Sequence, residues 1–159
     1  MINFIYTLDV EIISQVMMDL IKHHGNTSDD HNRSSILVVD DDPDIARLIV
    51  QWLDRDGFKV TAFTDPAMAL EDYKLNCNTC SLILSDIRMP GMNGYEFIKK
   101  TQEIDKQAKV IFMSSFDIED KEFHNVLSDI KVDAFLQKPF TLRELRDIVQ
   151  KNSVAAAMQ

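Results

Sequence analysis

Five short apolar runs, each followed by a stretch of helical periodicity, constrain this chain more than any other feature. The runs are Ile36–Val39, Val60–Phe63, Leu82–Leu84, Val110–Met113 and Ala134–Leu136. They carry no charge, which suits strands buried on both faces of a parallel sheet. The helical stretches between them have their own signals. Ile45, Leu48, Ile49, Trp52 and Leu53 form one apolar face, and Gly57 follows as a stop. Asp65-Pro66 reads as an N-cap followed by proline in the first turn. Tyr95, Ile98 and Lys99 follow a break at Gly94, and Phe123, Val126, Leu127 and Ile130 mark a fourth helix. Thr141-Leu142-Arg143-Glu144 is a capping box opening a fifth helix, with Leu145, Ile148 and Val149 on its face. Strand and helix alternate five times. That predicts an α/β fold, a doubly wound (βα)5 parallel sheet with helices on both faces.

The rest of the chain is organised around this unit. Residues 25–35 hold no large apolar side chain and read as a linker. Ahead of it, residues 1–24 carry Leu8, Ile12, Ile13, Val16, Met17, Leu20 and Ile21 at helical spacing, an amphipathic helical extension. The main domain is expected over 36–152, with a tail over 153–159. The formal net charge of -9 argues against direct nucleic-acid binding, which needs a basic stripe. No run of ~18 apolar residues exists to span a bilayer, so no membrane insertion is expected. Two cysteines cannot build a disulfide framework, so a reducing cytoplasm is the default location.

In doubly wound sheets, ligands bind beyond the carboxyl ends of the strands. Those ends carry Asp40-Asp41-Asp42, Ser85-Asp86, Ser114-Ser115 and Lys138-Pro139. Asp40, Asp41 and Asp86 brought together would repel, and a hard divalent cation with oxygen ligands would relieve this. Asp40–Asp42 alone could equally be a solvated loop or helix cap. Asp86 at a second strand end tips the balance toward function. A carboxylate can attack phosphorus to give an acyl phosphate, so Asp86 is the candidate nucleophile. Lys138 and Ser114 could stabilise the phosphoryl oxygens, as a point charge and a hydroxyl donor. Lys138-Pro139 also invites a cis peptide bond.

Four segments then carry a family likeness. Ile36-Leu37-Val38-Val39-Asp40-Asp41-Asp42, Leu84-Ser85-Asp86-Ile87-Arg88-Met89-Pro90-Gly91-Met92-Asn93-Gly94, Val110-Ile111-Phe112-Met113-Ser114-Ser115 and Phe135-Leu136-Gln137-Lys138-Pro139-Phe140 occur in order. Together they resemble the receiver domain of two-component response regulators, over about three-quarters of the chain. The resemblance implies a flavodoxin-like three-layer sandwich with strand order 2-1-3-4-5. It implies that Asp86 accepts phosphate from a sensor histidine kinase or phosphotransfer protein. Magnesium would be held by Asp40, Asp41, Asp86 and the backbone carbonyl of Arg88. Ser114 and Lys138 would bind the phosphoryl group, and Phe135 would rotate inward, reshaping the face of the last strand and the helices beside it. Phe135 also has the plain reading of a core aromatic.

Ser115 stands where the family commonly has alanine or glycine, and Asp133 where glycine is frequent, read here as loop variation. Arg88 and Phe116 flank the expected phosphate site and would slow attack by water. About eight residues remain after the fifth helix, so the expected output is contact with an unidentified downstream protein or onward relay, not an attached domain. Phosphorylation-linked homodimerisation stays open. The expected role is signalling rather than enzymatic. Rival readings are a receiver-like binding module that never takes phosphate, and an Asp-nucleophile phosphatase. The phosphatase is disfavoured because Arg88 stands where a second aspartate would serve as acid/base. Cys77-Asn78-Thr79-Cys80 lacks the second ligand pair of a structural zinc site and reads as a loop between the second helix and third strand. His23, His24 and His31 read as a solvated segment.

Overall fold

A computed structural model describes residues 35–115 and 129–153, which lie within one compact unit. The expected N-terminal helix, residues 25–34 of the linker, Phe116, residues Phe123, Val126 and Leu127 of the expected fourth helix and residues 154–159 fall outside the described residues; Ile130, expected on that helix, lies in a bend. The strands are β1 Ser35–Val39, β2 Lys59–Phe63, β3 Cys80–Asp86, β4 Val110–Ser114 and β5 Ala134–Gln137. All neighbours pair in parallel, in the order β2-β1-β3-β4-β5. The described helices are α1 Pro43–Arg55, α2 Pro66–Asn76, α3 Gly94–Ile104 and α4 Leu142–Ser153.

The strand period of two explains how one sheet serves two cores. Ile36, Val38, Leu82, Leu84, Ile111 and Met113 point to one face and pack with Ile49 and Leu53 of α1 and Leu145 and Val149 of α4. Leu37, Val39, Ile83, Val110 and Phe112 point to the other, against Ala69, Leu70 and Tyr73 of α2 and Phe97 and Ile98 of α3. Uncharged runs were required because every central-strand position is covered on one side or the other.

Caps set the helix starts. Asp42 accepts hydrogen bonds from the backbone N–H groups of Asp44 at 2.9 Å and Ile45 at 3.4 Å, with Pro43 following it. Asp65 caps α2 through Ala67 N–H at 2.8 Å. Gly57, at φ +89, follows the C-cap of α1 in a conformation that side chains resist. Two expectations need correction. Gly94 does not break the chain before α3; it is the first residue of that helix, and Asn93 caps it by accepting from Glu96 N–H at 2.9 Å. Asp133 is more than loop variation. Its carboxylate accepts from Val110 N–H at 2.9 Å and pairs with Lys109 at 3.2 Å, fixing the start of the β4–β5 pairing.

The capping box of α4 is formed: Glu144 accepts from the Thr141 N–H at 2.7 Å, and Thr141 Oγ1 accepts from Glu144 N–H at 3.3 Å. The hydrogen bonds from Thr141 hold the Glu144 carboxyl below its ordinary 4.5. A carboxyl lowered in the folded state stabilises above its unfolded value, and that contribution disappears as pH falls through the folded value. Denaturant titrations should therefore find Glu144→Gln less stable than the parent at neutral pH, with the gap closing in acid. A gap unchanged by pH would show that the charge of Glu144 contributes nothing.

Candidate functional site

The parallel sheet delivers its strand ends to one edge, and the candidate residues gather there. Asp40 follows β1 directly, held by its N–H to the Phe63 carbonyl at 3.1 Å. It is fully buried. One of its carboxylate oxygens accepts from the Asp42 N–H at 3.1 Å. The other accepts from Lys138 Nζ at 2.6 Å. Asp86 ends β3 and is 7% exposed. Its Oδ1 accepts from the same ammonium at 2.7 Å, and its Oδ2 from the Arg88 N–H at 2.9 Å. Ser114 ends β4, 3% exposed, and its carbonyl accepts from the Lys138 N–H at 2.7 Å. The Lys138–Pro139 bond is cis.

These groups line an open pocket of about 310 Å³, formed by Asp40, Asp41, Asp86, Arg88, Ser114 and Lys138 together with Asp42, Ile45, Ile87 and Ser115. Asp41 is exposed at its mouth. Thus six of the seven expected site residues meet at one place. Phe135 does not line the cavity. It is half-buried on the other face of the sheet, its ring 6.1 Å from that of Phe112 across the β4–β5 pair.

The electrostatics differ from a bare carboxylate cluster. Among the described residues, no group of three or more His, Cys, Asp or Glu is drawn together tightly enough to cage a metal ion. Lys138 sits between Asp40 and Asp86 instead. Burial raises the Asp40 carboxyl above its ordinary range, against the hydrogen bond and charge of Lys138. Burial alone would lower the Lys138 ammonium, but its hydrogen bonds to Asp40 and Asp86 outweigh that and hold it above the usual lysine range. Asp86 therefore presents two anchored oxygens beside a cation, a geometry suited to a carboxylate that exchanges its partner for a phosphoryl group.

One contributor has no chemistry of its own. A Cβ on Gly94 would lie 2.1 Å from the Asp86 carbonyl oxygen and 3.0 Å from the Ile87 Cα. The Gly94 N–H reaches the Ile87 carbonyl at 2.9 Å. Helix α3 is thus pressed against the backbone that carries Asp86, which only a residue without a side chain permits. The sequence offered the glycine, but no local signal told a turn from a close approach.

Residues 36–150 match the response regulator receiver domain. The chain belongs to that family. A curated relative, the response regulator receiver protein CpdR of Brucella abortus, is 38% identical over 122 residues, spanning 76% of this chain and 98% of that protein. In other curated relatives the matched segment is only part of a longer protein, 51% or 27% of its length. The solved structure of a CheY-like receiver domain protein from Methanospirillum hungatei superposes with a TM-score of 0.71 at 25% identity, covering 79% of this chain and 98% of that one. The Thermotoga maritima response regulator TrrA, solved in complex with Mg2+-BeF, gives 0.62 at 28% identity, covering 74% and 97%. Receiver domains are signalling modules of two-component systems, and the flavodoxin-like fold expected for this chain is the one observed. Among the described residues no helix is long and apolar enough to cross a membrane.

Proposed function

We propose that this receiver accepts a phosphoryl group on Asp86 from the phosphohistidine of a sensor histidine kinase or phosphotransfer protein, and that the change alters how the chain meets a downstream protein. The observation that carries the reading is the shared ammonium: Lys138 Nζ bridges Asp40 and Asp86 at 2.6 and 2.7 Å. Asp86 attacks phosphorus through a carboxylate oxygen. The P–O bond forms as the P–N bond breaks, and the imidazole leaves with the electron pair. The Arg88 N–H keeps the other Asp86 oxygen in place. Lys138 follows the new negative charge, and the Ser114 hydroxyl stands at the same cavity to bind a phosphoryl oxygen.

The all-oxygen donor set suits magnesium, a hard cation that keeps several waters, so the carboxylates need not close into a tight protein cage. Asp40, Asp41, Asp86 and the Arg88 carbonyl would hold it, and the cavity leaves room for water. When bound it would offset charge on the transferring oxygens. Phosphorylation changes charge at the end of β3 and β4, and Phe135, one strand further, is the residue through which β5 and its flanking helices would register it.

The test is direct. Incubation with acetyl phosphate and Mg2+ should add one phosphoryl mass to the parent, and none to Asp86→Asn or to the parent with chelator. An unmodified parent, indistinguishable from Asp86→Asn, would favour a binding module that never takes phosphate.

A further inference from the structure

At the opposite end of β3 from Asp86, the two cysteines of the chain bracket one tight turn. A 3-10 turn, Cys77–Thr79, joins α2 to β3, and the Cys80 N–H closes it on the Cys77 carbonyl. Such a turn has three residues per revolution, so side chains at i and i+3 nearly eclipse. Its ends lie within ~7 Å at Cα. Disulfides join Cα atoms ~4.4–6.8 Å apart. Both thiols are free and half-buried against the same core. Their present contacts are weak: Cys80 Sγ to the Leu82 carbonyl at 3.5 Å, and Cys77 Sγ to Asn78 Oδ1 at 4.0 Å. Beside them, the buried Tyr73 hydroxyl finds no hydrogen-bond partner among the described residues.

We propose that Cys77 and Cys80 form a reversible disulfide, making the α2–β3 corner a site of modification by a small or protein disulfide such as oxidised glutathione. Cys77 Sγ gives up its proton and attacks a sulfur of the oxidant, whose S–S bond breaks; the leaving sulfur takes up a proton and departs as one thiol. Cys80 loses its proton to solvent and displaces the second thiol from the mixed disulfide. The two protein thiols give up two electrons and two protons, and the oxidant disulfide becomes two thiols. Burial pushes the Cys80 thiol up to about 11. The Cys77 contact is solvent-exposed and that of Cys80 part-buried, so Cys77 meets the oxidant first and Cys80 resolves. The bond would tie the end of α2 to the first residue of the strand that ends in Asp86. Six residue steps separate the two ends, about 20 Å, so oxidation leaves the phosphoacceptor cavity itself untouched.

The full chain has two cysteines, so the outcome is unambiguous. After exposure to excess oxidised glutathione at neutral pH, maleimide-reactive thiols measured in denaturant should fall from both to none. The mass should show no glutathione adduct and no covalent dimer, and dithiothreitol should restore both thiols. Cys80→Ser should stop at a glutathione adduct on Cys77. Two free thiols, two adducts or a covalent dimer in the parent would overturn the proposal, and the parent alone decides between these outcomes, without any variant having to fold.

Discussion

Replacing Lys138 with methionine is expected to destabilise the protein by about 3 kcal/mol, because it leaves buried carboxylates without their cation. Asp40 is fully buried and Asp86 nearly so, so little solvent screening softens the loss. Methionine keeps most of the stem's volume, which separates the charge effect from packing. Denaturant titration measures the cost, and millimolar Mg2+ should recover more stability in Lys138→Met than in the parent, since the ion would supply the missing positive charge. The variant should still take phosphate slowly, if the ammonium stabilises the phosphoryl oxygens rather than creating the nucleophile. Equal stability of variant and parent would mean that Asp40 holds a proton and needs no counter-charge.

Gly94→Ala should be strongly damaging, because Gly94 is the described glycine at which an added Cβ meets backbone. Helix propensity alone would make it stabilising, by at most about 1 kcal/mol, the helix-interior figure, since Gly94 is the first helical residue. The steric term opposes and exceeds that. The new Cβ would lie 2.1 Å from a backbone oxygen, and backbone cannot swing away as a flexible side chain can. Overpacking of this kind costs about 1–3 kcal/mol or more. A net loss of about 2 kcal/mol is expected. Relief requires α3 or the end of β3 to shift, and Asp86 moves with them. A displacement near 1 Å at a reacting group costs on the order of 100-fold in rate. Time courses with acetyl phosphate should show that slowing even where the variant is fully folded. A variant both more stable and equally fast would refute the close approach.

The architecture was legible because the central strands must be apolar on both faces. An uncharged run such as Val110–Met113 has no other easy home, and β4 extends it by one residue. Helix starts were legible where a capping residue announces them, as at Asp65-Pro66. The start of β3 was not: Cys80 and Ser81 lie outside the apolar run, and the β1–β3 register slips between Ser35 and Ile36. That the candidate residues share one edge was readable because topology sends every parallel strand end there. What they do to one another was not readable. The bridging role of Lys138 joins groups 98 and 52 positions apart. The strand-aligning carboxylate of Asp133 likewise depends on Val110, 23 positions away, and the tightness at Gly94 on how the short Asp86–Gly94 loop folds back on itself.

That 98-residue span has a consequence for how the protein comes into being. The Asp40–Lys138 bridge closes almost the entire domain into one loop, and the fork of Arg146 on Asp56 closes another of 90. Contacts between such remote positions come late in folding, after much chain entropy has been surrendered. During synthesis the aspartates emerge long before their lysine. A chain truncated before Lys138, or folded without its last strand in place, would therefore leave Asp40 and Asp86 facing each other without the ammonium that bridges them.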